Sequence, residues 1–316
     1  MDSDSSTQIW NNFVQPFQIE NRSARGRLVR IGSLIESVTA RHEYPWPVTV
    51  LLSEMLALTA VVAGALKFDG VLTLQTKGDG PIKTLMADIT SDNEMRGYAQ
   101  FDQQHFHNSN AFGMSLQSPV AELLGAGYLA FTVDQGPDTD RYQGIVELVG
   151  RTLTDCAHAY FHQSEQLQAV IKLATLPANS PGPGAAALMV QRLPGDGRTT
   201  MSGDVEEDEA DDAWFRTVAL MGSCTNEELL DNDLHPHKLL FRLFHEEGVR
   251  VYPTFPVHHV CRCSRERVEN IILTLPDEEV QDLLKERGKV EVNCEFCSRN
   301  YTFSGEDIQN MRETSK

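Results

Sequence analysis

Four of the six cysteines in this chain stand in two close pairs near its C-terminal end. Cys261 and Cys263 form a C-x-C pair, and Cys294 and Cys297 form a C-x-x-C pair, with thirty residues between the pairs. Thiolate is a soft ligand, and four thiolates arranged as a tetrahedron suit Zn²⁺. Each short spacing can present both of its sulfurs to one point, so the pattern predicts one Zn²⁺ site per chain.

The segment around these cysteines is too small to build a large core, and it needs a cross-link or a bound metal to fold stably. The patterns SRERVENIILTL and DEEVQDLLKERG predict helices, and KVEVNCEFCSRNYTF predicts a hairpin whose turn holds the second pair. Metal binding would supply the missing stability and would couple folding to metallation. The alternatives are stable disulfides, which a reducing compartment disfavours, and unrelated cysteines, which the close pairing of four out of six disfavours.

The other cysteines and the nearest histidines are not expected to bind the metal. His258 and His259 come just before the first pair, but a complete set of four sulfurs needs no histidine. Cys156 and Cys224 lie in helical patterns, where small buried thiols are common.

Two further histidine patterns can be explained without a metal. His158 and His162 stand four residues apart on a predicted helix, with Glu165 after them, but the H-E-x-x-H form is absent. We expect a surface or interface pair there. His235 and His237 flank a proline, which indicates a helix start. The sequence contains no P-loop, G-x-S-x-G or G-x-G-x-x-G motif, and zinc held by four thiolates leaves no open position for water, so we predict that the protein is not an enzyme.

The N-terminal part of the chain alternates strand and helix patterns. Strands are predicted over VLTLQTK, IKTLMADI, MRGYAQF, GYLAFTVDQG, YQGIVELVG and AAALMVQRL, the first three as an antiparallel meander, and a helical period runs from about Leu153 to Leu173. The apolar stretch Val48–Leu66 contains Glu54 and several small residues, which favours a buried core helix over a membrane span. The N-terminus MDSDSSTQIW lacks the features of a signal peptide, and the expected location is the cytoplasm.

The composition changes near residue 204, where Asp204–Asp212 holds seven acids in nine residues. Such a run is typical of a solvated linker or a helix N-terminus. Two amphipathic helices are predicted after it, over WFRTVALMGSCTNEELLD and HPHKLLFRLFHEEGV. These helices must pack against a neighbouring part of the protein to bury their apolar faces, and they could detach from it by local unfolding. The predicted fold class is therefore α+β: an N-terminal α+β core with antiparallel sheet (1–203), an acidic helical linker (204–257) and a four-cysteine zinc module (258–316).

The charge distribution disfavours a nucleic-acid partner. The net charge is −18, and residues 258–316 hold nine Lys and Arg against twelve Asp and Glu, a net −3. Zinc with four thiolates adds −2, which makes about −5, whereas binding to phosphates needs a basic surface. The paired cysteines also suit a redox switch, in which zinc-bound thiolates react with an oxidant. A structural zinc ribbon that binds nucleic acid remains the alternative, because structural zinc sites also use C-x-x-C.

Several motifs in order give the chain a family resemblance. They are GDGP at Gly78, DQG and YQGIVEL between Asp134 and Leu148, YFHQSEQ at Tyr160, LMVQRLPG at Leu188, LLFRLFHEEGVRVY at Leu239 and the paired cysteines followed by SRERV. Together they resemble the bacterial redox-regulated chaperones of the 33-kDa heat-shock protein family over nearly the whole chain. The acidic run before Trp214 is longer than expected for that family, and the extension MDSDSSTQIWNN carries no motif of it.

The resemblance implies a mechanism. The reduced protein holds Zn²⁺ through the four cysteines and is inactive. Oxidation pairs Cys261 with Cys263 and Cys294 with Cys297, releases zinc, and unfolds the zinc module and the linker. The active form is then a homodimer that holds unfolding client proteins without ATP and without a membrane. The linker would offer apolar side chains to clients, namely Trp214, Phe215, Leu239 and Phe241. The client range, the oxidant sensitivity and the client-binding surface are left open.

Overall fold

The computed structural model describes residues 12–20, 24–108, 118–136, 139–165, 168–193 and 203–314. The chain divides into two compact units, Met1–His259 and Val260–Lys316. Each unit has its own buried hydrophobic core. The finer division into three segments at residues 204 and 258 stays a prediction.

An antiparallel sheet, here the first sheet, joins distant parts of the first unit. Among the described residues it has six strands, in the order β10-β1-β2-β9-β8, with β11 also pairing with β1. The strands are β1 (Phe13–Ile19), β2 (Ala24–Ile31), β8 (Ala169–Thr175), β9 (Ala185–Arg192), β10 (Val249–Val251) and β11 (Phe255–Pro256). The predicted strand over AAALMVQRL is confirmed as β9, which is buried on both faces.

The second sheet contains the predicted meander. Its order is β12-β5-β4-β3-β6-β7, again six strands in the described ranges. The strands are β3 (Val71–Gly78), β4 (Ile82–Thr90), β5 (Glu94–Phe101), β6 (Gly127–Asp134), β7 (Tyr142–Glu147) and β12 (His258–His259). All pairings are antiparallel except that of β12 with β5. The five strands predicted from alternation are therefore confirmed to within a few residues.

A buried helix connects the two sheets. Helix α2 (Trp46–Ala63) follows the short helix α1 (Ser33–Thr39) and contacts strands of both sheets. By length and composition α2 could cross a membrane, but 78% of it is buried inside the protein, which confirms the predicted core helix. Burial raises the pKa of Glu54, on this helix, to about 7.

The helical prediction over Leu153–Leu173 is wrong in its second half. Helix α4 (Leu153–Tyr160) continues as a π-helical turn over Phe161–Glu165, and Ala169–Thr175 then forms strand β8. The sequence AVIKLAT has β-branched residues next to each other and pairs along its whole length with β9, so sheet pairing outweighs the helical period. Among the described residues, two further helical segments precede β6: α3 (Gln103–Asn108) and a π-helical turn over Val120–Leu124.

Residues 204–257, here the middle segment, contain three helices that pack on the face of the first sheet opposite α2, followed by the sheet's own strands β10 and β11. The helices are α5 (Gly203–Gly222), α6 (Asn226–Leu230) and α7 (Pro236–Phe244). The first predicted helix is in fact two, because Thr225 begins α6 with a capping box to Glu228. The acidic run lies in the N-terminal half of α5.

The second unit has the predicted two helices and hairpin. Its elements are α8 (Arg265–Thr274), α9 (Asp277–Arg287), β13 (Lys289–Asn293), β14 (Asn300–Ser304) and the unpredicted α10 (Gly305–Thr314). Their small core is formed by Val268, Ile272, Val280, Val290, Tyr301, Phe303 and Ile308. A core of this size gives little stability by itself.

Candidate metal centre

The first cysteine pair lies immediately before α8 of the second unit. Ser264 is the N-cap of α8, and its hydroxyl accepts a hydrogen bond of 3.2 Å from the backbone N–H of Arg267. The Arg267 guanidinium donates in turn to the Arg262 carbonyl at 2.7 Å. These bonds fix the backbone on both sides of Cys263, so the start of the helix orients the C-x-C pair.

The second pair lies in the turn between β13 and β14. The carbonyl of Cys294 accepts from the N–H groups of Cys297 at 3.3 Å and Ser298 at 2.8 Å, and the N–H of Cys294 donates to the Arg299 carbonyl at 3.0 Å. Ser298 has φ +52°, in the left-handed region, which lets the chain reverse tightly. The turn therefore aims both sulfurs of the C-x-x-C pair to one side.

The four sulfur atoms lie within 4.8 Å of one another. The Sγ atoms of Cys261 and Cys294 are 3.7 Å apart, and those of Cys263 and Cys297 are 3.5 Å apart. Tetrahedral zinc with Zn–S bonds of about 2.3 Å places its sulfurs about 3.8 Å from one another. The cluster can therefore hold a metal ion, and its size and its all-sulfur donor set fit Zn²⁺.

Hydrogen bonding distinguishes Cys263 from the other three thiols. Burial acts to raise its pKa, but hydrogen bonds from the Tyr301 hydroxyl at 3.1 Å and from the neighbouring thiols outweigh burial and lower the pKa to about 7. Burial raises the pKa of Cys261, Cys294 and Cys297. A divalent cation among the sulfurs favours the thiolate form of all four.

Tyr301 is a site residue that sequence reasoning missed. It lies on β14 with 8% of its surface exposed, and its ring belongs to the core of the second unit while its hydroxyl reaches Cys263. It stands four residues after Cys297, on the strand that follows the turn. Only the alternation of inward and outward side chains along that strand could have indicated that Tyr301 points inward.

The other cysteines and histidines near these motifs have structural roles. Cys156 and Cys224 are buried free thiols, as predicted. His258 and His259 form β12, in register with Glu94 and Met95 of β5.

The remaining histidine patterns also form structural contacts. His158 is on α4, and its Nε2 accepts a hydrogen bond of 2.8 Å from the backbone N–H of Ile171, as expected of an interface residue, while His162 is exposed. His235 is the N-cap of α7, and its Nδ1 accepts from the N–H of His237. This confirms the helix start predicted from HPH.

The four apolar residues expected to meet clients fall into two groups. Trp214 and Leu239 are buried against the first sheet. Phe215 and Phe241 are 66% and 63% exposed. The structure therefore buries only part of the apolar surface of these helices.

Comparison with known proteins agrees with this architecture. A protein named 33 kDa chaperonin from Caulobacter vibrioides is 40% identical over 300 residues, which cover 93% of this chain and 95% of that protein. The 33 kDa chaperonin of Azotobacter vinelandii is 38% identical over 302 residues, 95% of this chain and 94% of that one. A crystal structure of the Thermotoga maritima 33 kDa chaperonin superposes with a TM-score of 0.78 at 24% identity, over 96% of this chain and 99% of that one.

Each of these relatives is named 33 kDa chaperonin, and this shared name supports the class of chaperone for this chain. The profile described as Hsp33 protein matches residues 12–304, and the chain belongs to the Hsp33 family.

Proposed function

We propose that this chaperone is ATP-independent, holds unfolding client proteins, and is switched on by oxidation of a zinc–thiolate centre at Cys261, Cys263, Cys294 and Cys297. The observation that carries the proposal is the approach of four sulfurs to within 4.8 Å in a unit with a small core. Four thiolates both bind zinc and react with oxidants. One set of residues can therefore stabilise the unit and sense its redox surroundings.

The chemistry takes place at the sulfur atoms. A thiolate attacks one oxygen of hydrogen peroxide, which gives a sulfenic acid and releases hydroxide. A second thiolate attacks the sulfenic sulfur, forms the S–S bond and releases the remaining oxygen as hydroxide. Each disulfide takes two electrons from sulfur and reduces one peroxide. Two disulfides use all four cysteines, which would leave no thiolate to hold zinc.

The proposed pairs are Cys261 with Cys263 and Cys294 with Cys297. The cross pairs Cys261–Cys294 and Cys263–Cys297, at 3.7 and 3.5 Å, are the chemical competitors. A cross pair would close a loop of more than thirty residues and would hold α8 to the hairpin, which stabilises the unit. The local pairs leave those elements unconnected. Only local pairing therefore turns oxidation into loss of the folded unit.

The middle segment is the element that we propose to release after the zinc unit. It is attached to the first sheet through buried residues of α5 to α7, through the pairing of β10 and β11 with β1, and through ion pairs such as Arg192 to Asp211 at 2.5 Å. The ion pairs Arg216–Glu247 and Arg242–Glu228 lie within the segment itself. Release would uncover the apolar face of the sheet and the buried side chains of the segment. We further propose a cytoplasmic location and a homodimer in the oxidised state.

Disulfide mapping in parallel with a chaperone assay tests this proposal. The reduced, zinc-loaded protein is treated with peroxide at mild heat, digested and analysed by mass spectrometry, while light scattering follows a thermally unfolding test protein without ATP. We expect the two local disulfides to form as scattering is suppressed. A variant with Cys156→Ser and Cys224→Ser is the matched control, since it keeps only the four cluster cysteines and must behave like wild type. Cross-paired disulfides in the active fraction would contradict the mechanism.

A further inference from the structure

Arg30 is a charged side chain buried on an otherwise apolar face. It lies on β2 with 2% of its surface exposed, and it points to the side of the first sheet that the middle segment covers. Its strand partners at this level are Phe13 of β1 and Ala186 of β9, and Leu28 precedes it on the same face. None of these side chains can accept a hydrogen bond, so the sheet itself does not satisfy the guanidinium.

The acceptors come from the backbone of the middle segment. Arg30 donates from Nε to the Leu229 carbonyl at 2.8 Å, from Nη1 to the Leu234 carbonyl at 2.7 Å and from Nη2 to the Glu228 carbonyl at 3.1 Å. Glu228 and Leu229 are in the last turn of α6, where helix carbonyls lack partners within the helix and the dipole favours a cation. All three guanidinium nitrogens are therefore used to hold one short piece of chain.

This contact depends on the middle segment being in place. When the segment leaves the sheet, Arg30 loses three acceptors and becomes one cation on an open apolar surface. A buried donor without an acceptor costs more than the net gain of an ordinary hydrogen bond. Any polypeptide that covers this surface again must therefore bring oxygen atoms to Arg30.

We propose that Arg30 is a carbonyl-binding site with two alternative occupants: the backbone carbonyls at 228, 229 and 234 in the closed protein, and the backbone carbonyls of an unfolded client in the open protein. An extended client segment suits it, because such a segment exposes unpaired carbonyls and apolar side chains together. Because the site binds backbone carbonyls, it does not depend on the amino-acid sequence of the client. This inference rests on the proposed release of the middle segment.

A cleft lies beside this contact. The cleft has a volume of about 350 Å³ and is lined by Arg30, Ala186, Leu230 and Asn232 among other residues. All three guanidinium nitrogens are engaged while the middle segment is in place, so a client carbonyl can bind Arg30 only after these contacts open. The two occupants thus exclude each other at one side chain.

The test compares Arg30→Leu and Arg30→Lys with wild type in the full-length chain. Leucine enlarges the apolar face but removes every donor, and lysine keeps the charge but cannot reach three carbonyls at once. Arg216→Leu is the matched control, because Arg216 is exposed and pairs with Glu247 inside the middle segment. The client probe is reduced, carboxyamidomethylated α-lactalbumin carrying fluorescein, and its anisotropy reports binding.

Two readouts distinguish an anchor from a purely structural residue. In the reduced state we expect trypsin to cut residues 204–257 of Arg30→Leu at least about tenfold faster than in wild type, because the loss of one of its three charge-assisted hydrogen bonds would already have this effect. In the oxidised state we expect it to bind the probe about tenfold more weakly, with Arg30→Lys between it and wild type and Arg216→Leu equal to wild type.

Equal or tighter binding of the probe by oxidised Arg30→Leu would overturn the inference, because added apolar surface alone predicts that result. If Arg30→Leu does not fold, Arg30→Lys decides, and binding equal to wild type overturns it. Failure of oxidised wild type to bind the probe would overturn the proposed function as well, so the two failures are distinguishable.

Discussion

Truncation of Phe244 should release the middle segment without oxidation. Phe244 is fully buried on α7 and stacks on Phe17 of β1, with ring centroids 5.5 Å apart. Replacement of a buried Phe by Ala costs about 3–5 kcal/mol, because a cavity adds to the lost burial. If that cost falls on the closed state alone, the open fraction rises about a hundredfold to several thousandfold.

Limited proteolysis of the reduced, zinc-loaded protein measures this change. Cleavage within residues 204–257 follows the open population when opening and closing are fast relative to cleavage. We expect Phe244→Ala to be cut at least a hundred times faster than wild type and to suppress aggregation of a test protein without peroxide. Phe241→Ala is the control on the same helix, since Phe241 is 63% exposed and surface changes cost about 0.5 kcal/mol or less. Equal cleavage of the two variants would refute the argument that this core holds the segment.

Four further outcomes follow from single side chains. The pKa of Glu54 is raised to about 7, so its contribution to stability is complete below pH 4.5 and is lost as the pH rises through 7. In urea titration, Glu54→Gln should be more stable than wild type at pH 8, by up to about 3 kcal/mol. At pH 4.5 the two proteins should be equally stable. Burial lowers the pKa of His158, so its contribution is complete above pH 6.5 and is lost as the pH falls below that value; His158→Gln should flatten this part of the stability curve, and an unchanged slope would contradict it. His235→Ala removes the N-cap of α7 and should cost about 1 kcal/mol in urea, with Asn in its place restoring most of it. Cys294→Ser should weaken zinc binding and lower the far-UV helical signal, whereas Cys156→Ser should leave the bound zinc unchanged.

The most accurate predictions from the sequence concern elements whose hydrophobic pattern lies within one short stretch of chain. The meander from β3 to β5 alternates clearly, and α2 is too long and too apolar to be anything but a helix. The C-x-C and C-x-x-C pairs identify the four clustered sulfurs because each pair is already held together by its short spacing.

The errors lie where distant pairing decides the structure. The stretch Ala169–Thr175 continues a helical period, yet it forms β8 because β9 offers it a complete edge to pair with. No sequence pattern singled out Arg30, because its acceptors are about two hundred residues away along the chain. Tyr301 was missed for the same reason, since its contact with Cys263 crosses the unit.

The most direct test of the central claim measures zinc and chaperone activity in one sample. The purified reduced protein is treated with peroxide at mild heat while a metallochromic dye reports free zinc and light scattering reports aggregation of an unfolding protein. The account predicts one zinc per chain released together with suppression of scattering, both reversed by a thiol reductant in the presence of zinc. Zinc that stays bound while scattering is suppressed, or zinc that leaves with no gain in suppression, would contradict the claim that these four cysteines are the switch.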